Sequence, residues 1–497
     1  AEHAYAQVLL LTPAQAPGRK DLIERQAAAV YKQGEQARSA GQLSNAVAHF
    51  SRVASIAPQS AVRASAQFDA AAAQIAMKDW ASAAALLEDF RQRFPQHALQ
   101  GEIAPKLALA YTEQGQWGKA AGEFERVAGS HADAAVARDA LWQAAEMHEK
   151  AGARAAATRA YERHLASTLA LRPAPLLPAI EARARLVQLA KADSNLKREL
   201  ALQKDIYLAD LNGGEARSDR TRFLGATAAL ALAEPVAKAY RDVALVEPLQ
   251  KQLKLKKTRL EEALKAYALA SEPGVADVST AATFHIASLY RDFGKAMLAS
   301  QRPKKLSAVE LEQYNVMLEE QAFPFEEKAS ELHEVNARRA ASGIYDEWVQ
   351  RSFDALREML PVRYGKKERG EGVEALLGLP ATRLKDAAAL QEQATQQRPA
   401  QAARINQLGV IYRQMGQFDK ARATYEQAIT LDATYAPAVL NLGILNDLYM
   451  GDAARALGLY ERYLTLTPGG DTTVNKWLAE IRKRKPAATA SATKEAP

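Results

Sequence analysis

One pattern recurs every 37 residues in the first third of this 497-residue chain. Its four copies begin at positions 41, 78, 115 and 152 and read GQLSNAVAHFSRV, KDWASAAALLEDF, GQWGKAAGEFERV and GARAAATRAYERH. A period of this length is typical of helical repeats. Their units stack side by side because one unit alone cannot bury its apolar face.

The positions that agree between the copies predict one helical hairpin in each period. Glycine or lysine at the first position indicates the end of one helix and the turn into the next. The alanine and the large residue that follow are four positions apart, so they share one face of the second helix and pack against a neighbour. The three columns are Gly41, Lys78, Gly115 and Gly152; Ala46, Ala83, Ala120 and Ala157; and Phe50, Leu87, Phe124 and Tyr161.

Two further copies near the other end resemble the tetratricopeptide repeat, a family of stacked helical hairpins. They are NQLGVIYRQMGQFDKARATYEQAITLD (406–432) and NLGILNDLYMGDAARALGLYERYLTLTP (441–468). The family pattern is matched at Leu408, Gly409, Tyr412, Gly416, Ala421, Tyr425 and Ala428, and again at Leu442, Gly443, Gly451, Ala456, Tyr460 and Pro468. The resemblance implies an all-α fold, a tetratricopeptide-type αα solenoid in two arrays that a region of longer helices joins.

We therefore divide the chain into six parts. Residues 1–26 have the spacing of a second helix without its partner, so we expect that the chain begins within a repeat and that upstream residues have been removed. The 37-residue rhythm is lost after about residue 179. The other parts are a first repeat array at 27–170, a middle domain of long helices at 171–360, a linker with a short helix at 361–400, a repeat pair with a capping helix at 401–485, and a disordered tail at 486–497.

Composition excludes several classes of protein. No cysteine is present, which rules out disulfides, thiolate metal sites and cysteine nucleophiles. The formal charge of +7 is spread along the chain without a basic and aromatic stripe, so we expect no nucleic-acid partner. The sequence also lacks a run of the roughly 20 apolar residues that a membrane-spanning helix needs.

No arrangement of residues that would support catalysis is recognisable. His333-Glu334 lacks the second histidine of a zinc-binding HExxH, and YGKKERGEG (364–372) lacks the spacing and the Lys-Ser/Thr end of a phosphate loop. We therefore expect no catalytic residue, no metal site and no cofactor, and we interpret 364–372 as part of a flexible linker. A catalytic or ligand site of unrecognised type in the 179–360 region stays open as an alternative.

A groove between the repeats is the predicted binding site. The resemblance implies that the first helix of each hairpin lines it, and counting at the 37-residue interval places Tyr31, Phe68, Pro105 and Trp142 in one column of that helix. Aromatic anchors suit an extended or helical peptide ligand, although the same side chains could instead pack between repeats. The candidate groove residues are Tyr31, Glu35, Arg38, Phe68, Ile75, Leu109, Thr112, Trp142, Glu146, Glu149, Asn406, Val410 and Arg413. Of these, Asn406 and Arg413 could hold a peptide backbone or a carboxylate, although Arg413 could equally be an exposed charge.

The whole arrangement resembles large tetratricopeptide proteins of the Gram-negative cell envelope that are associated with TolQ/ExbB-type proton-driven motors and gliding motility. The first array, with FRQRFPQH (90–97), is also similar to TolA-binding and outer-membrane-assembly lipoproteins. The resemblance implies a non-catalytic protein–protein interaction scaffold, periplasmic or membrane-associated, whose partners are envelope or motor-complex proteins. A TolA-binding or assembly adaptor and a peptidoglycan or glycan binder are the alternatives.

Overall fold

The computed structural model describes residues 1–304, 306–397 and 401–484. Over these ranges the chain consists of α-helices, two short 3-10 turns and loops, with no β-strand. The prediction of an all-α solenoid is therefore confirmed. Contacts divide the chain into two compact units, Ala1–Gly225 and Ala226–Pro497. The tail predicted at 486–497 lies outside the described residues.

The first unit is a row of helical hairpins. Consecutive helices pair from α2 onward, and α1 packs against α2. The helices are α1 (Glu2–Leu11), α2 (Arg19–Ser39), α3 (Leu43–Ile56), α4 (Arg63–Ala76), α5 (Trp80–Arg93), α6 (Gln100–Glu113), α7 (Trp117–Ser130), α8 (Ala134–Lys150), α9 (Arg154–Leu169), α10 (Leu176–Ala192) and α11 (Leu196–Leu211).

The repeated positions have the local structure that the pattern predicts. The turn column adopts left-handed backbone in every copy, with φ of 74° at Gly41, 60° at Lys78, 68° at Gly115 and 72° at Gly152. The four column alanines have no exposed surface. Each alanine therefore lies at a helix contact, where a larger side chain would force the helices apart.

A further hairpin follows the four copies that the sequence shows. The loss of the 37-residue rhythm leaves no sequence signal for it, yet α10 and α11 pair in the same way. Its turn contains Ser194 at φ 54°, and the Asn195 side chain caps α11 by accepting a hydrogen bond of 3.1 Å from the Arg198 amide. A non-glycine turn residue thus takes the place that glycine holds in three of the earlier copies.

Longer helices open the second unit. After α12 (Asp219–Arg241), which crosses the division between the units, the helices are α13 (Leu249–Ser271), α14 (Ala276–Leu298), α15 (Ala308–Arg339), α16 (Glu347–Met359), α17 (Pro361–Tyr364), α18 (Val373–Leu377), α19 (Ala381–Gln397), α20 (Ala402–Gln414), α21 (Phe418–Leu431), α22 (Ala436–Leu448), α23 (Ala453–Leu466) and α24 (Thr472–Lys483). None of the helices described in either unit combines the length and apolar character required to cross a membrane.

The core of the second unit joins α16 to the carboxy-terminal repeats. The ring of Tyr345 lies 4.9 Å from that of Phe418, and the ring of Phe353 lies 4.8 Å from that of Tyr449. At the other side, α24 buries Trp477 against this core. The hairpins α20–α21 and α22–α23 therefore share one core with α16 and α24.

Candidate functional site: the carboxy-terminal groove

The first helices of the two carboxy-terminal hairpins, α20 and α22, line a polar surface that we call the carboxy-terminal groove. Asn406 of α20 and Asn441 of α22 are completely buried there, and the Asn441 amide donates a hydrogen bond of 2.8 Å to the Asn406 side-chain oxygen. Val410 lies one turn along α20 and has no exposed surface, and Arg413 follows on the same face. Buried amides of this kind need further partners, and the chain itself supplies them.

Residues 365–372 (GKKERGEG), which we call the inner segment, lie in this groove. The Arg369 amide donates to Oδ1 of Asn441 over 2.8 Å. The Arg369 carbonyl accepts from Nδ2 of Asn441 at 2.7 Å and from Nδ2 of Asn406 at 3.0 Å. The carbonyl of Glu371 accepts from Nε2 of Gln407 at 2.5 Å. Side-chain amides of the repeats thus bind the main chain of a polypeptide.

Lys366 of the inner segment occupies a closed pocket. Its side chain has no exposed surface, and its ammonium group forms an ion pair with Asp447, whose side chain is also fully buried. The ammonium lies 5.2 Å from the ring centre of Tyr460 and 5.5 Å from that of Trp477, both within cation–π range. Burial lowers the pKa of Lys366, and the charge of Asp447 opposes this effect. The pocket therefore suits a long side chain that ends in a cation.

Glu368 fills a second pocket, of opposite polarity. Nε of Arg413 donates to its carboxylate over 3.0 Å in a two-pronged ion pair, and the Tyr425 hydroxyl donates over 2.7 Å. Burial acts to lower the pKa of Arg413, but the charge and hydrogen bond of Glu368, together with the neighbouring Tyr449 and Tyr425, outweigh it and hold that pKa well above its ordinary value. A buried guanidinium and a hydroxyl that converge on one point make a carboxylate pocket.

Two further positions of the inner segment are defined by the groove. The Arg369 guanidinium donates to the Tyr463 hydroxyl at 2.9 Å and to the Asp471 carboxylate at 2.5 Å. Gly370 has φ of 142°, and a Cβ atom there would lie 2.5 Å from Nδ2 of Asn406, so only glycine fits. By contrast, the side chain of Lys367 is exposed.

The linker predicted at 361–400 needs correction in this stretch, because residues 365–372 are held in the groove rather than free in solvent. Lys366 and Glu368 are two residues apart, so in an extended chain both point to the same side and reach their pockets together. Charge and glycine content alone predict a loop for this stretch. Sequence patterns do not reveal its partners, because Asp447 lies 81 residues from Lys366 and Arg413 lies 45 residues from Glu368. A cavity of about 770 Å³ remains beside the segment, lined in part by Lys367 and Tyr449.

In the first unit the predicted groove residues mostly contact neighbouring helices. The Tyr31 hydroxyl donates to Asp69 over 2.6 Å, and Arg38 pairs with the same carboxylate at 2.8 Å. The Tyr31 ring lies 5.4 Å from the Phe50 ring, and the Phe68 ring lies 6.0 Å from the ring of Phe90. These aromatic side chains therefore contribute to the packing between hairpins.

The remaining candidates divide between packed and open positions. The Trp142 ring packs edge-on at 5.1 Å from Tyr161, while Ile75 is half-buried in the apolar core. Five others are held by local contacts or lie half-buried or exposed: Glu146 and Glu149 approach Arg185 at 3.6 and 3.7 Å, Thr112 donates to the Ala108 carbonyl, Glu35 is half-buried, and Pro105 is exposed within α6. Leu109 is 42% exposed, which makes it an apolar side chain open to a partner.

Sequence reasoning missed several groove residues, among them Asn441, Asp447 and Gln407. One signal was present. Asn441 follows Gln407 by 34 residues, the same interval that separates Leu442 from Leu408, so both amides occupy one column of the first helix. No comparable signal marks Lys366 or Glu368, because their role depends on chain segments distant in sequence.

Family models match two parts of the chain. The tetratricopeptide repeat model matches residues 409–446, within the carboxy-terminal groove. The model of the YfiO outer membrane lipoproteins matches residues 23–104, in the first array. No curated protein matches the chain.

Solved structures that are similar to this chain include helical-repeat proteins. The Naa15/Naa10 complex bound to HypK has a TM-score of 0.32 at 14% identity, over 97% of this chain and 68% of that one. The Cut9–Hcn1 hetero-tetramer of the APC/C has a TM-score of 0.26 at 14% identity, over 92% of this chain and 96% of that one. The P58(IPK) TPR domain has a TM-score of 0.21 at 13% identity, over 92% of this chain and 97% of that one. At these scores none of the likenesses bears on function. Over residues 409–446 the chain is therefore similar to the tetratricopeptide repeat, and the helices there pair as hairpins.

Proposed function

We propose that this chain is a non-catalytic protein–protein interaction scaffold of the bacterial cell envelope, which binds polypeptide partners in the grooves of its repeats. The observation that supports this most directly is the inner segment. Its main chain is bound by Asn406, Asn441 and Gln407, so the groove has the chemistry for holding an extended polypeptide. Among the described residues, no group of three or more histidines and carboxylates is placed to hold a metal ion.

The match of residues 23–104 to an outer membrane lipoprotein model supports the envelope as the setting. Two kinds of complex fit the resemblance of the sequence, a TolQ/ExbB-type motor or gliding-motility complex and an outer-membrane-assembly or TolA-binding complex. The family match lies in the first array and favours the second kind. The partners proposed here are therefore envelope proteins, with outer-membrane assembly ahead of the motor.

The exposed Leu109 on α6 offers a test of the first array. A photo-crosslinking residue in place of Leu109, in the full chain expressed in Gram-negative cells, should capture envelope proteins. The same residue in place of Leu196, a 61% exposed leucine that begins the second helix of its hairpin, is the matched control. Assembly or lipoprotein partners would support an adaptor, and motor proteins would support the motor complex. Capture of cytoplasmic proteins alone, or retention of the chain by purified peptidoglycan without any protein partner, would contradict the proposal.

Leu109→Ser should reduce the amount of envelope protein that co-purifies with the chain at least several-fold. The melting temperature should stay within about 1 °C, because an exposed leucine contributes little to folding. Leu196→Ser should change neither quantity. Co-purification from cells and thermal melting of the purified variants measure the two effects. Equal capture by both variants would remove Leu109 from the binding surface.

A further inference from the structure

We propose that the inner segment is an exchangeable internal ligand, and that the carboxy-terminal groove accepts from a partner an extended peptide of the pattern Lys-x-Glu-Arg-Gly. This inference rests on the proposed function, since it takes the groove to be a site for polypeptides. It adds the sequence chemistry of the ligand and the competitor that occupies the site in the free protein.

The contacts define which ligand positions are recognised. The pocket of Asp447, Tyr460 and Trp477 encloses a lysine, and the pocket of Arg413 and Tyr425 takes a carboxylate two residues later. Asn406 leaves no room for a side chain at the glycine. The position between lysine and glutamate faces solvent and is therefore free to vary.

The bonding of the inner segment is that of a ligand rather than of a core element. Its polar contacts are ion pairs and hydrogen bonds to groups on α20, α21, α22 and α23. Such pairs largely offset the cost of removing both charges from water, so their net contribution to the folded state is small. Lys366 also covers the rings of Tyr460 and Trp477, which the lysine of a competing peptide would cover in turn. The adjoining cavity of about 770 Å³ gives a peptide access to the segment.

The ends of the inner segment stay anchored while its middle can leave. Tyr364 and Val373 on either side are buried in the core of the unit. Glycines at 365, 370 and 372 give the chain between them the conformational freedom to move out of the groove. This tether keeps the segment at a high effective concentration, of the millimolar order for short flexible connections, so the groove is closed unless a partner is concentrated beside it. Recruitment to a complex through the first array would provide that concentration.

A synthetic peptide with the sequence of residues 362–373, labelled with fluorescein, tests the recognition in the full chain. Glu368→Lys places a cation opposite Arg413 and should release the inner segment, so this variant should bind the peptide at least tenfold more tightly than the unaltered chain. Glu312→Lys makes the same change at an exposed residue of α15, away from the cavity, and should bind like the unaltered chain. In the peptide, Lys366→Ala or Gly370→Val should abolish binding, and Lys367→Ala should not.

Hydrogen exchange of the unaltered chain tests the exchange itself and does not depend on any variant folding. The peptide is added unlabelled and in excess, and it carries Lys367→Ala so that its mass differs from that of the chain's own fragment. It should speed amide exchange in residues 365–372 several-fold and leave exchange in α20 and α22 unchanged. If the Glu368→Lys variant binds the peptide but the peptide does not speed exchange in the unaltered chain, the inner segment is fixed in the groove. That result would overturn the inference and leave the proposed function intact. No binding by a folded Glu368→Lys variant and no acceleration would overturn both. Binding that ignores the Lys366 and Gly370 changes would overturn the ligand pattern.

Discussion

Gly34 and Phe50 meet where the first helix of a hairpin crosses the second. A Cβ atom at Gly34 would lie 2.4 Å from the Phe50 ring, and the same relation joins Gly409 to Tyr425 at 2.4 Å and Gly443 to Tyr460 at 2.8 Å. The close approach is therefore shared by the first of the 37-residue hairpins and the two carboxy-terminal ones. At these positions the absence of a side chain, rather than backbone freedom, is what the fold requires.

Gly34→Ala should lower the free energy of unfolding of the first unit by about 1–3 kcal/mol, because the added methyl group must displace a buried ring. Gly122→Ala is the matched control, since Gly122 is helical and a Cβ there meets no described atom within 4 Å. That variant should gain up to about 1 kcal/mol from helix propensity. Denaturant unfolding of the two variants measures both changes in the free energy of unfolding. Changes of the same sign would contradict the close crossing at Gly34.

At the scale of elements, a buried polar network joins α14, α15 and α16. Asn336 of α15 donates 3.0 Å hydrogen bonds to the Thr280 carbonyl and to the Ser352 hydroxyl, and His333 lies 3.3 Å from the same hydroxyl. Burial lowers the pKa of His333 to about 4, and the charge of Arg291 acts in the same direction. The network therefore holds a neutral histidine between three helices.

The stability of the second unit should fall as the pH decreases from about 6.5 to 4. In this window the unfolded chain binds a proton at His333 and the folded chain does not, so protonation favours unfolding. The expected loss is on the order of 3 kcal/mol, at about 1.4 kcal/mol for each unit of pKa shift. Denaturant midpoints between pH 4 and 8, compared with His333→Gln, measure it. Parallel pH curves for the two proteins would contradict a buried neutral His333.

At the scale of the whole molecule, stacked hairpins make local contacts. Each hairpin packs on its neighbours in sequence, and the two units have separate cores. Stability in such a protein is a sum of hairpin and neighbour contributions, so unfolding need not be a single transition. A substitution that destabilises one array should therefore leave the stability of the other array unchanged.

Ala120→Glu should destabilise the first array by several kcal/mol, because Ala120 has no exposed surface and the variant buries an unpaired charge at a helix contact. Hydrogen exchange should accelerate in α6–α8 and stay unchanged in residues 401–484. Gly118→Glu, at an exposed position on the same helix, should leave both regions unchanged. Native-like exchange of the Ala120 variant, or equal acceleration in both units, would contradict the stacking of independent arrays.

The sequence by itself determined the four 37-residue hairpins and the two carboxy-terminal ones. Turn residues, column alanines and the matched tetratricopeptide positions act within one period, and the spacing of 37 residues reports such local relations directly. It also named Asn406 and Arg413 as candidates to hold a peptide backbone or a carboxylate, with Arg413 equally suited to be an exposed charge.

Only the tertiary structure decided what these two side chains bind. Glu368 reaches Arg413 across 45 residues and the Arg369 carbonyl reaches Asn406 across 37, and helical periodicity gives the face of a side chain but not the distant segment that meets it. Within one hairpin, Trp142 packs against Tyr161, although its column position suited a ligand equally well. Contacts made only in the folded chain decided both outcomes.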